Sequence, residues 1–217
     1  MCHTMSEPLP DIDSAEWAWP NFRRDVFQLI AWGYQIVVQE IRQKHLEEDI
    51  TGLIRKGIKE KLDEDLPPRF QCYFAGNEDP VDDDDDGSLG KKRPRVDILI
   101  ESGRSRPRKR YRLEAKRCAR RTNTISWYAE GITAFLTRLY ARDSPEGGLL
   151  GLMQSDDTKY WKEELSTKLK NDVSLSCQSP LADVDLTPDL AEMTVSVHQR
   201  NDGSPIDLYH AFLDCNP

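Results

Sequence analysis

Three charged side chains on two neighbouring apolar segments are the residues of this chain best suited to chemistry. Asp97 lies in the segment 95–101, and Glu114 and Lys116 lie in the segment 110–116. Both segments are typical of buried strands, and successive side chains of a strand point to opposite faces, so Glu114 and Lys116 share one face. Two acids and a lysine on adjacent strands form a site for a metal ion and water more readily than a stable core, because buried charge is costly.

A helical segment earlier in the chain supplies a further candidate acid. Apolar residues spaced by three and four predict a helix over 46–62. At about 100° per residue, Glu47 falls inside the apolar sector of this helix and Glu48 points towards solvent. A carboxylate on a core-facing stripe needs a partner, so Glu47 is a candidate for reaching the strand site. The alternative is that Glu47 lies at the edge of the stripe with its carboxylate in water.

The charge of the chain is distributed unevenly around these residues. The whole chain has a net charge of −8, but residues 91–121 contain 14 basic and three acidic residues, a net charge of +11 against −19 elsewhere. This asymmetry predicts a polyanion-binding patch around the candidate site. The alternative is a solvated loop flanked by charged strands. The candidate phosphate-binding residues are Arg95, Arg110, Arg112, Arg117, Arg120 and Arg121.

Composition and cysteine spacing restrict the class of protein. The five cysteines are scattered, with no pair at CxxC spacing. This favours reduced thiols in a cytoplasmic protein over a disulfide framework or a zinc site. No apolar run approaches the length of a membrane span, and the N-terminal residues lack the pattern of a secretory signal. We therefore expect a cytoplasmic protein that does not enter a membrane.

The order of the remaining segments predicts one α/β domain with a mixed central sheet flanked by helices. Residues 1–20 are expected to form a flexible N-terminal arm and 21–217 the folded domain, and five adjacent aspartates within 77–90 predict a disordered acidic loop. Periodicity and turn residues predict the remaining elements as a helix over 22–45, a strand over 70–74, a helix from about 123 to 140, a strand over 149–153, a helix over 156–170, a loop over 171–190, and strands over 193–198 and 206–213.

The charged strands resemble the PD-(D/E)xK nuclease superfamily, which has the restriction-endonuclease-like fold. The resemblance rests on Asp97 near the start of one strand and a Glu-x-Lys motif, Glu114 to Lys116, on the next. It covers roughly residues 45–155. The chain departs from the family pattern in having Val96 where a proline often stands, which leaves the acid in place.

This resemblance implies a metal-dependent endonuclease that cleaves nucleic acid, with DNA expected in preference to RNA. It implies that Asp97 and Glu114 hold Mg²⁺ (Mn²⁺ as a substitute), with the carbonyl of Ala115 as a further ligand and Glu47 as an outer one. Lys116 would orient or deprotonate the attacking water. Nearby cations favour the neutral amine of Lys116 and nearby carboxylates favour its ammonium form, and the sequence does not decide between them.

Two other functions are compatible with the same residues. One is a nucleic-acid-binding or scaffold protein that has this fold and does not cleave. The other is a nuclease module that is silent until a protein partner or a second copy of the chain activates it.

Overall fold

The computed structural model of the chain describes residues 18–76, 96–104, 107–120 and 123–216. Most of the predicted N-terminal arm and the whole predicted acidic loop lie outside these residues. Two of the candidate phosphate-binding residues, Arg95 and Arg121, lie outside them as well.

A seven-stranded mixed sheet is the centre of the fold, which confirms the predicted α/β class. The strands run in the order β1-β2-β3-β4-β7-β6-β5. The strand β3 pairs antiparallel with β2 on one side and parallel with β4 on the other, and β4 pairs parallel with β7. The strand bounds are β1 Tyr73–Gly76, β2 Ile98–Ser102, β3 Arg110–Cys118, β4 Glu146–Met153, β5 Cys177–Asp183, β6 Thr194–Gln199 and β7 Pro205–Asp214.

Four described α-helices cover the two faces of the sheet. Their bounds are α1 Trp19–Val37, α2 Glu47–Leu62, α3 Thr124–Leu136 and α4 Thr158–Asn171. The apolar residues of α1 and α2 form one buried cluster with one face of the sheet, and those of α3 and α4 form a second cluster with the other face. None of the described helices is both long and apolar enough to cross a membrane.

The alternation of side chains along β3 separates the core from the charged residues. Leu113 and Ala115 belong to the cluster on the α1 and α2 side. Glu114 and Lys116 point to the opposite face, where a Cβ atom added to Gly131 of α3 would lie 3.3 Å from Glu114 Cγ and 3.5 Å from Lys116 Cε. The small residue in α3 therefore lets this helix approach the charged face closely.

Two glycines allow α1 and α2 to cross in direct contact. A Cβ atom added to Gly57 would overlap the carbonyl group of Gly33, and one added to Gly33 would lie 2.8 Å from the carbonyl oxygen of Ile54 and 2.9 Å from the backbone nitrogen of Ile58. Backbone atoms cannot move aside as the end of a flexible side chain can, so both positions require glycine. This crossing fixes α2, and Glu47 at its first turn, against the rest of the domain.

Gly57→Ala is expected to lower the free energy of unfolding by about 1–3 kcal/mol, because the added methyl group overpacks the helix crossing. Gly52→Ala on the same helix is the matched control, since a Cβ atom there has only Arg55 Nη2 within reach, at 3.9 Å. The control should gain up to about 1 kcal/mol from the higher helix propensity of alanine. Urea denaturation of both variants checks the prediction, and a Gly57→Ala variant as stable as Gly52→Ala contradicts it.

The first predicted helix is wrong at both ends. The helix α1 begins at Trp19, inside the predicted arm, because Pro20 lies in the first turn, where a missing N–H costs nothing. The helix ends at Val37 rather than near residue 45. A short 3₁₀ turn follows, and Ile41 is extended so that its side chain enters the core.

Other predicted boundaries differ on both sides of the sheet. The predicted strand over 70–74 is mostly a 3₁₀ helix, Pro68–Cys72, and the strand that follows is β1. The predicted loop over 171–190 contains β5, an edge strand whose irregular pairing with β6 and internal proline give it no alternating pattern. The helix α3 ends at Leu136 rather than residue 140, since Arg138 has a positive φ of 61°.

Candidate active site

Asp97 lies immediately before β2, at the point where the ladder between β2 and β3 ends. The last paired residues are Ile98 and Leu113. Beyond them, Asp97 Oδ2 accepts the backbone N–H of Ala115 at 2.8 Å, so a side chain replaces the next strand partner. The guanidinium of Arg55, on α2, donates to the backbone carbonyl of Asp97 at 2.8 Å. These two contacts hold Asp97 against the middle of β3.

Lys116 lies between two carboxylates from different layers of the fold. Its Nζ is 2.8 Å from Glu114 Oε1 and 3.0 Å from Glu47 Oε1. The other oxygen of Glu47 accepts the backbone N–H of Arg117 at 2.9 Å. The first turn of α2 is therefore bonded to β3 through both oxygens of one side chain. Glu48 is exposed, as the helix phase predicts.

The start of α2 is fixed by its own capping contact, which determines where Glu47 stands. The carboxylate of Asp49 accepts the backbone N–H of Leu46 at 2.9 Å. Acidic side chains in a first turn also interact favourably with the positive end of the helix dipole. Glu47 thus extends towards β3 from a helix end of defined position.

Burial and mutual repulsion change the protonation of the acids. Burial, followed by repulsion from Asp97, raises the pKa of Glu114 to about 7. Burial also raises the pKa of Asp97, more than the Ala115 N–H and the Lys116 ammonium lower it. Burial alone would lower the pKa of Lys116, but the carboxylates of Glu114 and Glu47 outweigh it and raise this pKa. Lys116 is therefore an ammonium group at neutral pH, which answers the question that the sequence leaves open.

The groups that could hold a cation at this point are two carboxylates and one main-chain carbonyl. Glu114 Oε2 is buried and has no hydrogen-bond partner. The N–H and C=O of a strand residue point to the same side, so the Ala115 carbonyl lies on the side of Asp97. Within the part of the chain that the structure describes, no three His, Cys, Asp or Glu side chains are spaced to hold a metal ion. A ligand set here would comprise the carboxylates of Asp97 and Glu114 and this main-chain carbonyl, all oxygen donors.

The described candidate arginines fall into two groups. Arg110 and Arg112 share the face of Glu114 on β3, and Arg110 Nε is 2.7 Å from Glu101 Oε1. Arg117 and Arg120 follow the site: Arg117 lines a cleft beside Lys116, and Arg120 is exposed.

Arg120 Nη2 is 3.0 Å from Asp156 Oδ1, with the guanidinium over the Tyr160 ring. Because the side chain of Arg120 is 72% exposed, this ion pair is weak and solvent-screened.

A cleft of about 220 Å³ opens beside Lys116, between the first turns of α2 and α3. Two of its walls are large apolar side chains, Leu46 and Trp127, which are 56% and 44% exposed. The remaining lining residues are Glu47, Glu48, Lys116, Arg117, Ala119 and Thr124.

Sequence reasoning did not find Arg55, Leu46 or Trp127 as parts of this region. Arg55 is one of many basic residues on exposed helix faces, and its contact is to a main-chain atom far away in the sequence. Trp127 lies on a helix whose apolar residues are mostly core. Trp127 lies in the first turn of a helix that directly follows the basic stretch. This position is the feature of the sequence that could have indicated its place beside the site.

The two strand histidines form a buried network away from these acids. Ser196 Oγ is 2.7 Å from His198 Nε2 and 2.8 Å from His210 Nε2, and His210 Nδ1 is 3.1 Å from the Tyr128 hydroxyl. Burial lowers the pKa of His210 to about 3 and also lowers that of His198. Arg200 is buried as well and donates to carbonyl groups of the turn over 141–144. These contacts connect β6 and β7 to α3 and to the turn over 141–144.

Comparison of the chain with protein-family models, with curated proteins and with solved structures found no match. Inference about function therefore depends on the geometry and chemistry of the described residues.

Glu114→Gln is expected to stabilise the metal-free protein above pH 7. A pKa raised from 4.5 to about 7 means that the folded state binds more protons than the unfolded state between these values. Stability is therefore lost as pH rises from 4.5 through 7. The neutral amide of glutamine removes this loss of stability. The loss is on the order of 1–3 kcal/mol, because one pKa unit corresponds to about 1.4 kcal/mol. Urea denaturation with chelator at pH 5 and pH 8 measures the effect.

The same variant also tests metal binding without an activity assay. Mg²⁺ at pH 8 should raise the melting temperature of the wild type but not that of Glu114→Gln, since the variant lacks one carboxylate ligand. Glu163→Gln, which removes an exposed charge on α4, is the control and should behave as the wild type. Equal shifts in all three proteins would contradict a metal site at Glu114.

Proposed function

We propose that this chain is a Mg²⁺-dependent endonuclease of the cytoplasm that hydrolyses phosphodiester bonds in nucleic acid, with DNA preferred. One observation carries the proposal: Asp97 is close enough to Glu114 for the two carboxylates to repel each other, Glu114 is paired with Lys116, and a buried oxygen of Glu114 has no partner. Above pH 7, where Glu114 is ionised, Asp97 and Glu114 repel each other. A divalent cation between them would relieve this repulsion.

The carboxylates of Asp97 and Glu114, with the carbonyl of Ala115, would hold Mg²⁺, and Mn²⁺ would substitute for it. When bound, the ion would activate water and neutralise charge on the scissile phosphate. This ligand set breaks no backbone pairing between β2 and β3. Asp97 lies beyond the last paired residues, and its carboxylate accepts the Ala115 N–H there. The fixed position of Asp97 reduces the reorganisation that binding would require.

Lys116 acts as a donor in this proposal. An ammonium has three N–H groups, and the contacts with Glu114 and Glu47 use two of them. The third is able to donate to the attacking water or to a phosphate oxygen, where negative charge develops. Glu47 is then a positioning residue, which fixes Lys116 by its ion pair and itself by the Arg117 N–H.

The arginines around the site would bind the phosphates on either side of the cleaved bond. Arg117 and Arg120 follow β3 directly, and Arg110 and Arg112 precede Glu114 on its face. Arg95 and Arg121 belong to the same basic stretch in sequence. Contacts of this kind give affinity without sequence readout and make binding sensitive to salt.

Incubation of the protein with supercoiled plasmid and with RNA tests the proposal directly. With Mg²⁺ or Mn²⁺ the wild type should nick or linearise the plasmid, and chelator should abolish the reaction. Asp97→Asn and Lys116→Met should each lower the rate by at least about 100-fold, the lower range for loss of one preorganised electrostatic group. Lys116→Arg should retain part of the activity because it keeps the positive charge.

Cleavage that persists in both Asp97→Asn and Lys116→Met would refute the site. Binding of nucleic acid without cleavage in every metal would favour the non-catalytic protein with the same fold. Restoration of cleavage by a second protein or by self-association would favour the partner-activated module.

A comparison of two neighbouring acids in the first turn of α2 tests the role of Glu47 separately. Glu47→Gln should reduce the cleavage rate more than Glu48→Gln, because only Glu47 is bonded to Lys116. The loss should appear in kcat with little change in KM, as expected for a residue that acts through Lys116. A larger loss in Glu48→Gln would show that the helix places the wrong acid at the site.

A further inference from the structure

The apolar walls of the cleft beside Lys116 have no role in the hydrolysis proposed above, although the cleft opens directly onto the site. Leu46 comes from the residue before α2, and Trp127 comes from the first turn of α3. Two large apolar side chains from different elements therefore line one opening. Both are about half exposed, whereas most large apolar residues of the described chain are buried.

The cleft has charged lining residues as well as apolar walls. Lys116 and Arg117 line it beside the site, and Glu47 and Glu48 line it as well. Carboxylates on the wall repel a phosphate group. They accept hydrogen bonds from N–H groups on the edge of a base, such as the exocyclic amino groups of adenine and cytosine or the N3–H of thymine. The cleft therefore suits a flat, uncharged ring whose attached phosphate lies towards the cations.

The size of the cleft restricts the occupant further. Its volume of about 220 Å³ is below the roughly 300–1,000 Å³ of pockets that enclose drug-sized ligands. One aromatic ring fits such a space, and a stack of base pairs does not. Trp has the largest aromatic face for stacking with a base, and stacking is tolerant of base identity.

We propose that this cleft binds one unpaired nucleobase of the substrate, stacked on Trp127 and packed against Leu46, with its phosphate beside Lys116 and Arg117. The inference rests on the proposed function and specifies the substrate class: nucleic acid with an unpaired base next to the bond that is cut. Single strands, flaps and frayed ends meet this requirement. A continuous duplex meets it only if a base leaves the stack, which has an energetic cost.

Binding without cleavage tests the inference. Wild-type protein in EDTA is titrated into fluorescently labelled strands, and anisotropy gives Kd for oligothymidylate, for an abasic strand of equal length and for a blunt duplex. Trp127→Ala should weaken binding to oligothymidylate roughly tenfold, within the range measured for loss of one stacked base. Trp127→Phe should retain most of the affinity, since it keeps an aromatic face. Phe74→Ala removes an aromatic residue outside the cleft that is 56% exposed, against 44% for Trp127, and should bind as the wild type.

The abasic strand identifies the base as the partner of Trp127. The wild type should bind it more weakly than oligothymidylate, and Trp127→Ala should bind both strands alike. Unchanged binding by Trp127→Ala, an equal loss on both strands, or no binding of any oligonucleotide by the wild type would overturn the inference.

The failure of this inference and that of the proposed function have different signatures. If cleavage depends on metal but binding does not depend on Trp127, the base-binding cleft is refuted and the proposed nuclease activity stands. If binding of bases depends on Trp127 but no metal supports cleavage, the nuclease activity is refuted and the base-binding cleft stands.

Discussion

The ion pairs of Lys116 with Glu114 and Glu47 are the contacts on which the arrangement of the site depends. Glu114 belongs to β3 and Glu47 to α2, so one ammonium connects the sheet to a helix of the layer that covers its other face. These groups are mostly removed from water, and removal of Lys116 would leave the carboxylates around it without a compensating charge, at a cost of about 3–5 kcal/mol. The cluster therefore depends on the Lys116 ammonium.

The rest of the fold keeps these charges at one place. The glycine crossing of α1 and α2 fixes the helix that carries Glu47, and Arg55 of the same helix binds the main chain at Asp97. On the opposite face, Gly131 lets α3 lie against Glu114 and Lys116. Helices on both sides thus shield most of the cluster from water. Exclusion of water in turn raises the pKa of Glu114 and strengthens each remaining interaction.

Local periodicity explains which parts of this arrangement could be predicted from the sequence. A strand period of two is enough to put Glu114 and Lys116 on one face, and a helix period of 3.6 is enough to orient Glu47 inward and Glu48 outward. The mixed α/β class follows from the order of such segments. The strand β5 could not be predicted in this way, because an edge strand with one proline and a shifted register has no regular alternation.

Contacts between distant segments explain what the sequence did not reveal. Arg55 binds a backbone carbonyl, an acceptor that every residue has, so no residue type signals the contact. Trp127 lines the cleft together with Leu46, which lies directly before α2, so its neighbours there come from a distant segment of the chain. The apolar cleft therefore exists only because two helix ends meet beside Lys116. The same meeting puts a surface suited to a base next to a charged group suited to a phosphate, and a nucleotide is the ligand that presents both.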